Sequence, residues 1–429
     1  MKRLALTLIA ALTAPLAFAG IDIQQWTTPN GTRVLFVETR ALPILDVKID
    51  FAAGSIFDPA GKSGVAALTR GVLDLGAGAL DENAIADRLA DLGAGIGGGA
   101  DTDRASVSLR TLVGPERRNP ALELLGSVIG APRFETAVIE REQARTIASL
   151  KEALTRPGSI AGKAFWAALY PSHPYGQQAT PETVGRINRA DLQAFHQRYY
   201  TARNANLTIV GAISRAEAEK IAADLSARLP AGETASLPAP PFPPKGTQQK
   251  LEHPASQAHI YIGLPAIERG HPDTYALLVG NYTLGGGGFV SRLMKEVRDK
   301  RGFAYSVHSG FVRMRQAGPF QINLQTKRAQ ANDAMKLSRS ILEQFVKEGP
   351  SEEELAAAKA NIVGSFPLGL DSNHKILDNV STIGFFGLPL DYLDRFQQNI
   401  AAVTVADVKR AFAQHVKPEQ LVTIMVAAD

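Results

Sequence analysis

The feature that most constrains the fold of this 429-residue chain is an internal repeat of very long period. Alternating apolar residues predict a half-buried strand at 47–51, and a similar strand is predicted at 258–263. A helix followed by a strand closes the first half at 191–211, and the same order closes the second half at 406–426. The offset is 212 residues from position 47 to 259 and 216 residues from position 191 to 407. Such a nearly constant offset predicts two homologous domains in tandem.

The order of elements within each half indicates the fold class. In the first half, two helical patterns, a glycine run and an alternating strand follow the first strand; the second half has two helices and then two strands. This order favours an α+β fold in which each domain is a mostly antiparallel sheet covered by helices. Two such domains facing each other would enclose a cleft or chamber. The predicted bounds are 64–75, 82–92 and 105–109 in the first half, and 273–284, 291–300, 304–312 and 320–324 in the second.

A proline-rich segment separates the two halves. Residues 230–249 contain several prolines and few apolar residues, which is typical of a semi-rigid extended linker. We therefore expect a first α+β domain at 20–229 and a second at 250–429.

The first nineteen residues have the pattern of a cleaved secretory signal. Lys2 and Arg3 precede an apolar run at 4–16, and residues 17–19 read Ala-Phe-Ala, a small-residue cleavage site. The apolar run is too short to span a membrane, and no later segment is long and apolar enough to do so. The sequence therefore predicts an exported, periplasmic protein without a stable membrane span.

Composition excludes several classes of function. The chain contains no cysteine, which rules out thiolate zinc sites and thiol catalysis. The formal net charge is +4, of which Lys2 and Arg3 supply two, so the mature chain carries about +2. Because this charge is small and dispersed, we do not expect nucleic acid as a partner.

The segment 284–310 contains the most distinctive local pattern. Four glycines, Gly285, Gly286, Gly287 and Gly288, follow a helix-like apolar run, and an amphipathic helix and a strand come next. Arg298 and Tyr305 offer a five-donor guanidinium and a phenol to a peptide carbonyl. The segment has no obvious nucleophile and no metal-ligand spacing, and its glycines follow a helix rather than a strand, unlike a phosphate-binding loop.

The tandem repeat, the linker and the sequence LGGGGFVSRLMKEVRDKRGFAYSV together resemble the pitrilysin/insulinase peptidases, which carry an inverted zinc motif. The processing-peptidase-like branch is the most similar, and the resemblance covers nearly the whole mature chain. It implies H-x-x-E-H on the first long helix of the first domain, with two zinc-binding histidines and a glutamate that activates water. The corresponding positions here are Ala67, Arg70 and Gly71, none of which can act as a ligand or a base.

The further zinc ligand that the resemblance implies is also missing. Its place falls in the predicted helix 140–154, where Ala148 and Ser149 stand closest, and Glu152 lies about one helical turn too far along. None of the eight histidines has H-x-x-E-H spacing. The resemblance therefore implies that this chain binds no zinc itself and that zinc is held by a partner subunit.

What the resemblance retains is the contribution of the second domain. It implies that Arg298 and Tyr305, seven residues apart, stabilise the substrate carbonyl and the tetrahedral intermediate. It further implies that Gly285–Gly288 form a flexible loop that touches substrate; a simple glycine turn between two helices remains an equal alternative. The run 92–109 resembles the edge strand that binds peptide in active members, but three consecutive glycines at 97–99 should weaken its register.

The main hypothesis is a non-catalytic, substrate-binding subunit of an exported heterodimeric zinc metallopeptidase. Its partners would be a homologous catalytic subunit carrying H-x-x-E-H and a peptide substrate. Two alternatives remain open at this stage. One is a structural or assembly protein on the same fold, and the other is a peptide-binding module that acts alone, for example as a homodimer.

Overall fold

The computed structural model describes residues 20–242 and 244–427, so the predicted signal segment lies outside the described residues. The strands are β1 (Gln24–Thr27), β2 (Arg33–Glu38), β3 (Ile44–Phe51), β4 (Gly76–Ala77), β5 (Leu80–Asp81), β6 (Gly95–Ala100), β7 (Ala105–Leu112), β8 (Ala205–Gly211), β9 (Thr247–Glu252), β10 (Gln257–Ile267), β11 (Ala304–Phe311), β12 (Gly318–Lys327) and β13 (Val422–Ala427). The α-helices are α1 (Val65–Val72), α2 (Glu82–Leu92), α3 (Pro115–Gly130), α4 (Thr136–Ala153), α5 (Pro157–Leu169), α6 (Pro181–Gly185), α7 (Arg189–Tyr199), α8 (Arg215–Ser226), α9 (Thr274–Asn281), α10 (Ala331–Glu348), α11 (Glu352–Ser365), α12 (Asn373–Phe386), α13 (Tyr392–Ala402) and α14 (Val405–His415).

Each half contains one large sheet, as the repeat predicts. The first sheet has the strand order β1-β2-β8-β3-β7-β6, and the second has the order β11-β12-β10-β13-β9. Neighbouring strands are antiparallel except for the pairs β2–β8 and β9–β13, which are parallel. The predicted α+β fold with two mostly antiparallel sheets is therefore confirmed. The sequence patterns did not indicate β1, β2 or β9, which are short or lie at or next to a sheet edge.

The predicted helices differ from the observed ones mainly at their ends. The helix expected at 82–92 has those bounds, whereas the helix expected at 64–75 is shorter, Val65–Val72. The helix expected at 273–284 is Thr274–Asn281, and the wider π-helical turn Tyr282–Gly286 continues it. There the N–H of Gly287 donates to the carbonyl of Tyr282, five residues earlier, at 2.8 Å.

One face of each sheet packs against helices from the same half. In the first half, Val47 and Ile49 of β3 share a core with Leu125 of α3 and Leu192 of α7. In the second half, the strands β10 and β12 share a core with α9, α10 and α14. These two cores hold most of the buried apolar residues, and their burial is the main source of folding free energy.

The opposite face of the second sheet is covered by a helix from the first half. Phe165 and Leu169 of α5 share a core with Ile424 and Val426 of β13. The rings of Phe165 and Tyr261 lie 5.4 Å apart between centroids. Helix α5, which belongs to the first half in sequence, therefore packs on the sheet of the second half and completes its core.

The opposite face of the first sheet is covered in return by α12 of the second half. Leu377, Val380 and Ile383 of α12 pack against apolar side chains of β2 and β8. Polar contacts fix the orientation of the helix: Lys48 of β3 forms an ion pair with Asp378 at 2.9 Å, and the buried Asp50 accepts hydrogen bonds from Ser106 and Ser381. The helices α5 and α12 begin 216 residues apart, which matches the offset of the internal repeat. Each half therefore contributes the corresponding helix to the sheet of the other half, and we call this the helix exchange.

The segment between the halves contains no helix or strand at 230–242 or 244–246. It is nevertheless attached to the second half, because the Gln316 side chain donates to the carbonyl of Pro238 at 2.6 Å. The domain bounds 20–229 and 250–429 stay a prediction, since the exchanged helices make each core depend on both halves. No helix in the described part of the chain is long and apolar enough to cross a membrane.

Helix α12 approaches the first sheet so closely that a larger residue at Gly384 would have to displace a neighbouring side chain. A Cβ atom at Gly384 would lie 2.3–2.7 Å from side-chain atoms of Asn206. We predict that Gly384→Ala lowers the free energy of unfolding by about 1–3 kcal/mol through overpacking. Urea unfolding of the purified chain measures this change.

The matched control is Gly364→Ala, because Gly364 also lies near the end of a helix and has open space around its Cβ position. There the same substitution should stabilise by about 0.5–1 kcal/mol through helix propensity alone. Equal effects at the two positions would contradict the close packing of α12 on the sheet.

Candidate functional site

Helix α1 carries the positions where the resemblance places a zinc motif. The Asp58 carboxylate fixes its start by accepting hydrogen bonds from the N–H groups of Gly64 at 2.7 Å and Ala66 at 2.8 Å. Burial raises the pKa of Asp58 to about 6, although these two hydrogen bonds act in the opposite direction. The helix packs beside strands β6 and β7 and beside helices α4 and α7.

Ala67 and Gly71 face open space on this helix. Both residues are exposed, and a Cβ at Gly71 would meet no atom within 4 Å. They lie one helical turn apart, where the two histidines of the motif would stand. Neither residue offers a side-chain nitrogen or oxygen, so the surface that would hold a metal is bare of ligands.

Arg70 stands at the position of the motif's glutamate. Its side chain is buried, and each of its three nitrogens donates a hydrogen bond within the protein. Its side chain is 5% exposed and forms an ion pair with Asp74 at 3.1 Å. Its Nε donates to the carbonyl of Ser106 at 2.6 Å, and its Nη2 donates to the carbonyl of Gly97 at 2.5 Å. Arg70 thus joins α1 to β6 and β7, and a buried guanidinium is incompatible with a zinc dication beside it.

The fourth family position is also unsuited to metal. Ala148 and Ser149 are exposed on α4, and Glu152 is exposed near the end of the same helix, 3.8 Å from Arg156. Among residues 20–242 and 244–427, the one group of three potential ligands close together lies in the second half. The residues at the family's metal position therefore do not fit zinc.

The glycine-rich edge strand is more regular than the sequence suggested. The expectation that Gly97–Gly99 weaken its register was wrong, because all six residues of β6 pair in continuous register with β7. Gly98 has φ +118°, and a Cβ there would lie 2.1 Å from the carbonyl oxygen of Ser106. Glycine is thus required for the close approach of the two strands, and the hydrogen bond from Arg70 secures the neighbouring residue.

Arg298 and Tyr305, predicted as the retained site pair, do come together in the second half. The Arg298 guanidinium lies over the Tyr305 ring at 4.8 Å and over the Phe289 ring at 4.7 Å. We call these three residues the aromatic–arginine cluster. Tyr305 is 83% exposed and Phe289 is 66% exposed, so the cluster is open to solvent. The sequence did not single out Phe289, although it directly follows the four glycines.

The cluster keeps its hydrogen-bond donors free. Within the described chain, neither the Arg298 guanidinium nor the Tyr305 hydroxyl donates a hydrogen bond, and neither forms an ion pair. Contact with the two ring faces orients the guanidinium without using its N–H groups. The arrangement can therefore present several donors to one carbonyl or carboxylate oxygen.

Two local irregularities position this cluster. The segment Met294–Asp299 is π-helical, with the N–H of Lys300 donating to the carbonyl of Lys295 at 3.0 Å. The ladder between β11 and β12 shifts register between Ala304 and Ser306, so Tyr305 is the extra residue of a β-bulge. Such a bulge turns a side chain away from the regular pleat. No sequence signal marked it.

Of the two equal alternatives for Gly285–Gly288, a flexible loop and a simple glycine turn between two helices, the packing favours the turn, and contact with substrate stays a prediction. Gly285 is buried, and a Cβ there would lie 2.5 Å from the Ser309 hydroxyl. Gly286 and Gly287 pack against Asn281 and Tyr282 in the π-helical turn. Only Gly288, with φ +60°, has open space around it. Their observed role is to let the chain turn tightly before Phe289.

A second polar cluster, which the sequence analysis did not identify, contains His271, Asp273 and His415. Potential ligand atoms of these residues lie within 4.8 Å of one another. Asp273 accepts hydrogen bonds from Arg410 at 2.6 Å and from His415 at 2.8 Å. The Arg410 hydrogen bond is the main reason why the pKa of Asp273 falls to about 2. Asp273 and His415 are 142 positions apart in sequence, so only the fold shows them together.

Comparisons with known proteins identify relatives of this chain. Residues 186–362 match the family model described as the peptidase M16 inactive domain. The crystal structure of a peptidase M16 inactive domain from Pseudomonas fluorescens is 38% identical, covers 95% of this chain and 99% of its own, and superposes with a TM-score of 0.92. The Non-peptidase homolog YmxG of Helicobacter pylori is 23% identical over 100% of this chain and 99% of its own length. The Uncharacterized zinc protease YmxG of Bacillus subtilis is 25% identical over 82% of this chain and 85% of its own length.

The role of Arg70 leads to a prediction about restoring the motif. The triple change Ala67→His, Arg70→Glu and Gly71→His should not create a tight zinc site, because the fourth ligand is absent. It should also lower the free energy of unfolding by about 3–5 kcal/mol, since it removes one partner of a buried charged network. Elemental analysis for zinc and urea unfolding measure the two outcomes.

The control is the double change Ala67→His with Gly71→His, which leaves Arg70 in place at two exposed positions. This variant should unfold close to the unmodified chain. Stoichiometric zinc with unchanged stability in the triple variant would show that Arg70 is not essential to this part of the fold.

Proposed function

Because this chain belongs to the peptidase M16 family, whose inactive-domain model matches residues 186–362, we propose that it is the substrate-binding subunit of an exported heterodimeric zinc metallopeptidase. The chain itself is a non-catalytic M16-like protein. A homologous subunit with H-x-x-E-H would hold the hydrolytic zinc, and the substrate would be a peptide or an unfolded segment. Export rests on the signal pattern at 1–19.

The observation that carries this proposal is the contrast between the two halves. In the first half, Arg70 is buried and its donors are bound to Asp74 and to two backbone carbonyls. In the second half, the exposed Tyr305 and the half-buried Arg298 donate no side-chain hydrogen bond within the described chain. A purely structural protein has no need to hold an arginine between two exposed rings with its donors unused. The contrast therefore favours substrate binding over an assembly role.

The chemistry of the pair suits a peptide carbonyl. The guanidinium of Arg298 supplies fixed positive charge, and the Tyr305 hydroxyl supplies a second donor on the same side. Donors held in place before reaction stabilise an oxygen more strongly as negative charge develops on it. Phe289, exposed beside them, would contact an apolar side chain of the bound peptide.

If the partner holds the zinc and this chain supplies Arg298 and Tyr305, substitutions at these two residues should lower turnover. In the complex with a catalytic partner, Arg298→Ala or Tyr305→Phe should reduce kcat by roughly 100-fold, the scale for loss of one oxyanion donor. Size-exclusion chromatography should show unchanged assembly, because both side chains lie outside the buried cores. Peptidase assays of the reconstituted complex measure the effect.

Arg301→Ala provides the matched control, since Arg301 is exposed and lies three residues from Arg298. It removes the same charge from the same surface and should leave kcat unchanged. If the Arg298 and Tyr305 variants behave like this control, the pair has no part in catalysis, and a structural or stand-alone peptide-binding role becomes the better explanation.

A further inference from the structure

A cavity of about 230 Å³ opens in the second half, away from the aromatic–arginine cluster. It lies between the loop that follows β10, the loop between β11 and β12, and the connection from α12 to α13. Arg269 and Arg313 stand at its wall, together with Tyr275, Tyr392 and Asn399. The cavity is independent of the proposed substrate site and shares no residue with it.

The Arg269 guanidinium makes one hydrogen bond and one ring contact, but two of its nitrogens have no hydrogen-bond acceptor. Its Nη2 donates to the carbonyl of Arg313 at 3.0 Å, and its guanidinium lies over the Phe386 ring at 4.4 Å. Its Nε is buried without a hydrogen-bond partner, and Nη1 has no acceptor among the described residues. Burial, together with the nearby charge of Arg313, lowers the pKa of Arg269 to about 10. A buried donor without a partner costs free energy. Unlike Nε, Nη1 keeps accessible surface, so it is the nitrogen that a ligand in the cavity would reach.

Arg313 adds a second uncompensated charge. Its side chain donates no hydrogen bond and forms no ion pair in the described chain, and it is only half-buried. The Arg269 guanidinium donates to the backbone carbonyl of Arg313, so it is held beside the loop that carries the Arg313 side chain. Two like charges held together without an anion repel each other.

The acidic groups near the cavity already have partners. Asp103, whose charge raises the pKa of Arg269, does not line the cavity and accepts hydrogen bonds from the Tyr175 hydroxyl and the N–H of Arg315. Asp391 forms an ion pair with Arg395 at 2.5 Å, and Asp273 is paired with Arg410 and His415. Neither carboxylate therefore neutralises Arg269 or Arg313. The cavity keeps two net positive charges beside a polar and aromatic wall.

We propose that this cavity binds a compact oxyanion, with a carboxylate or phosphate group held between Arg269 and Arg313. Guanidinium groups match the planar geometry of both kinds of anion and bind them with charge-assisted hydrogen bonds. The Tyr275 and Tyr392 rings and the Asn399 amide supply further polar and aromatic contact. The volume lies below the roughly 300–1,000 Å³ of sites for drug-sized ligands, which favours a small anion.

The adjacent His271, Asp273 and His415 group does not make this a cation site. The Nδ1 of His271 accepts the backbone N–H of Asp273 at 3.1 Å, and both Asp273 oxygens accept hydrogen bonds. Arg410 lies 2.6 Å from that carboxylate. A metal dication would have to displace these contacts within a positively charged surrounding, whereas an anion would not.

Isothermal titration of the mature chain with inorganic phosphate, and separately with malonate, tests the proposal at constant ionic strength. At least one of the two anions should bind, and Arg313→Met should weaken that binding roughly tenfold or more. Binding of phosphate alone would identify a phosphate ligand, and binding of malonate alone would identify a carboxylate ligand. Because Arg313 has no structural partner, its replacement should leave the fold intact.

Arg301→Met is the control for the loss of one positive charge far from the cavity, and it should not change affinity. A second readout is the Nε–H signal of Arg269 in a proton–nitrogen NMR spectrum, assigned by its loss in Arg269→Lys. Addition of the anion should shift this signal in the unmodified chain. No heat of binding at millimolar anion, or equal binding by the Arg313→Met and unmodified chains, would overturn the proposal.

Discussion

Neither large sheet buries both faces with helices of its own half, and this constraint determines how the two halves are joined. Helix α5 covers the second sheet, and α12 covers the first. The exchange is fixed by apolar packing and by polar contacts such as those of Asp50 and Asp378 with the opposing half. The proline-rich segment therefore does not have to position the domains, because the exchanged helices already do so. Separating the halves would expose an apolar face on each sheet.

The two halves differ in how their arginine side chains are bonded. At the position of a family metal ligand set, the first half has a bare surface at Ala67 and Gly71 and a buried arginine at position 70. Arg70 secures the edge strand whose glycines allow close strand pairing. In the second half, the half-buried Arg298 lies against the exposed ring of Tyr305, and the donors of both side chains are without partners in the described chain. Arg70 therefore has a structural role at the position where the family places its catalytic glutamate, whereas the donors of Arg298 and Tyr305 stay available.

The sequence predicted what depends on local pattern and on the long repeat. The mostly antiparallel sheets, the helix Glu82–Leu92 and the inability of Ala67, Arg70 and Gly71 to bind zinc all follow from residue types and spacing. Apolar periodicity shows that a helix has a buried face but not which sheet covers it, so the exchange of α5 and α12 could not be predicted. The bulge at Tyr305 and the packed glycines before Phe289 depend on tertiary contacts. The juxtaposition of Arg269 and Arg313, 44 residues apart, depends on them equally.

We infer that this chain provides a substrate-binding surface and no metal centre. The most direct test of this inference is to measure bound zinc and peptidase activity for the purified mature chain alone, and then for its mixture with a homologue that contains H-x-x-E-H. We expect the chain alone to be zinc-free and inactive and the mixture to form an active complex. Zinc-dependent activity of the chain alone would contradict this inference, as would a homologue whose activity is unchanged because no complex forms.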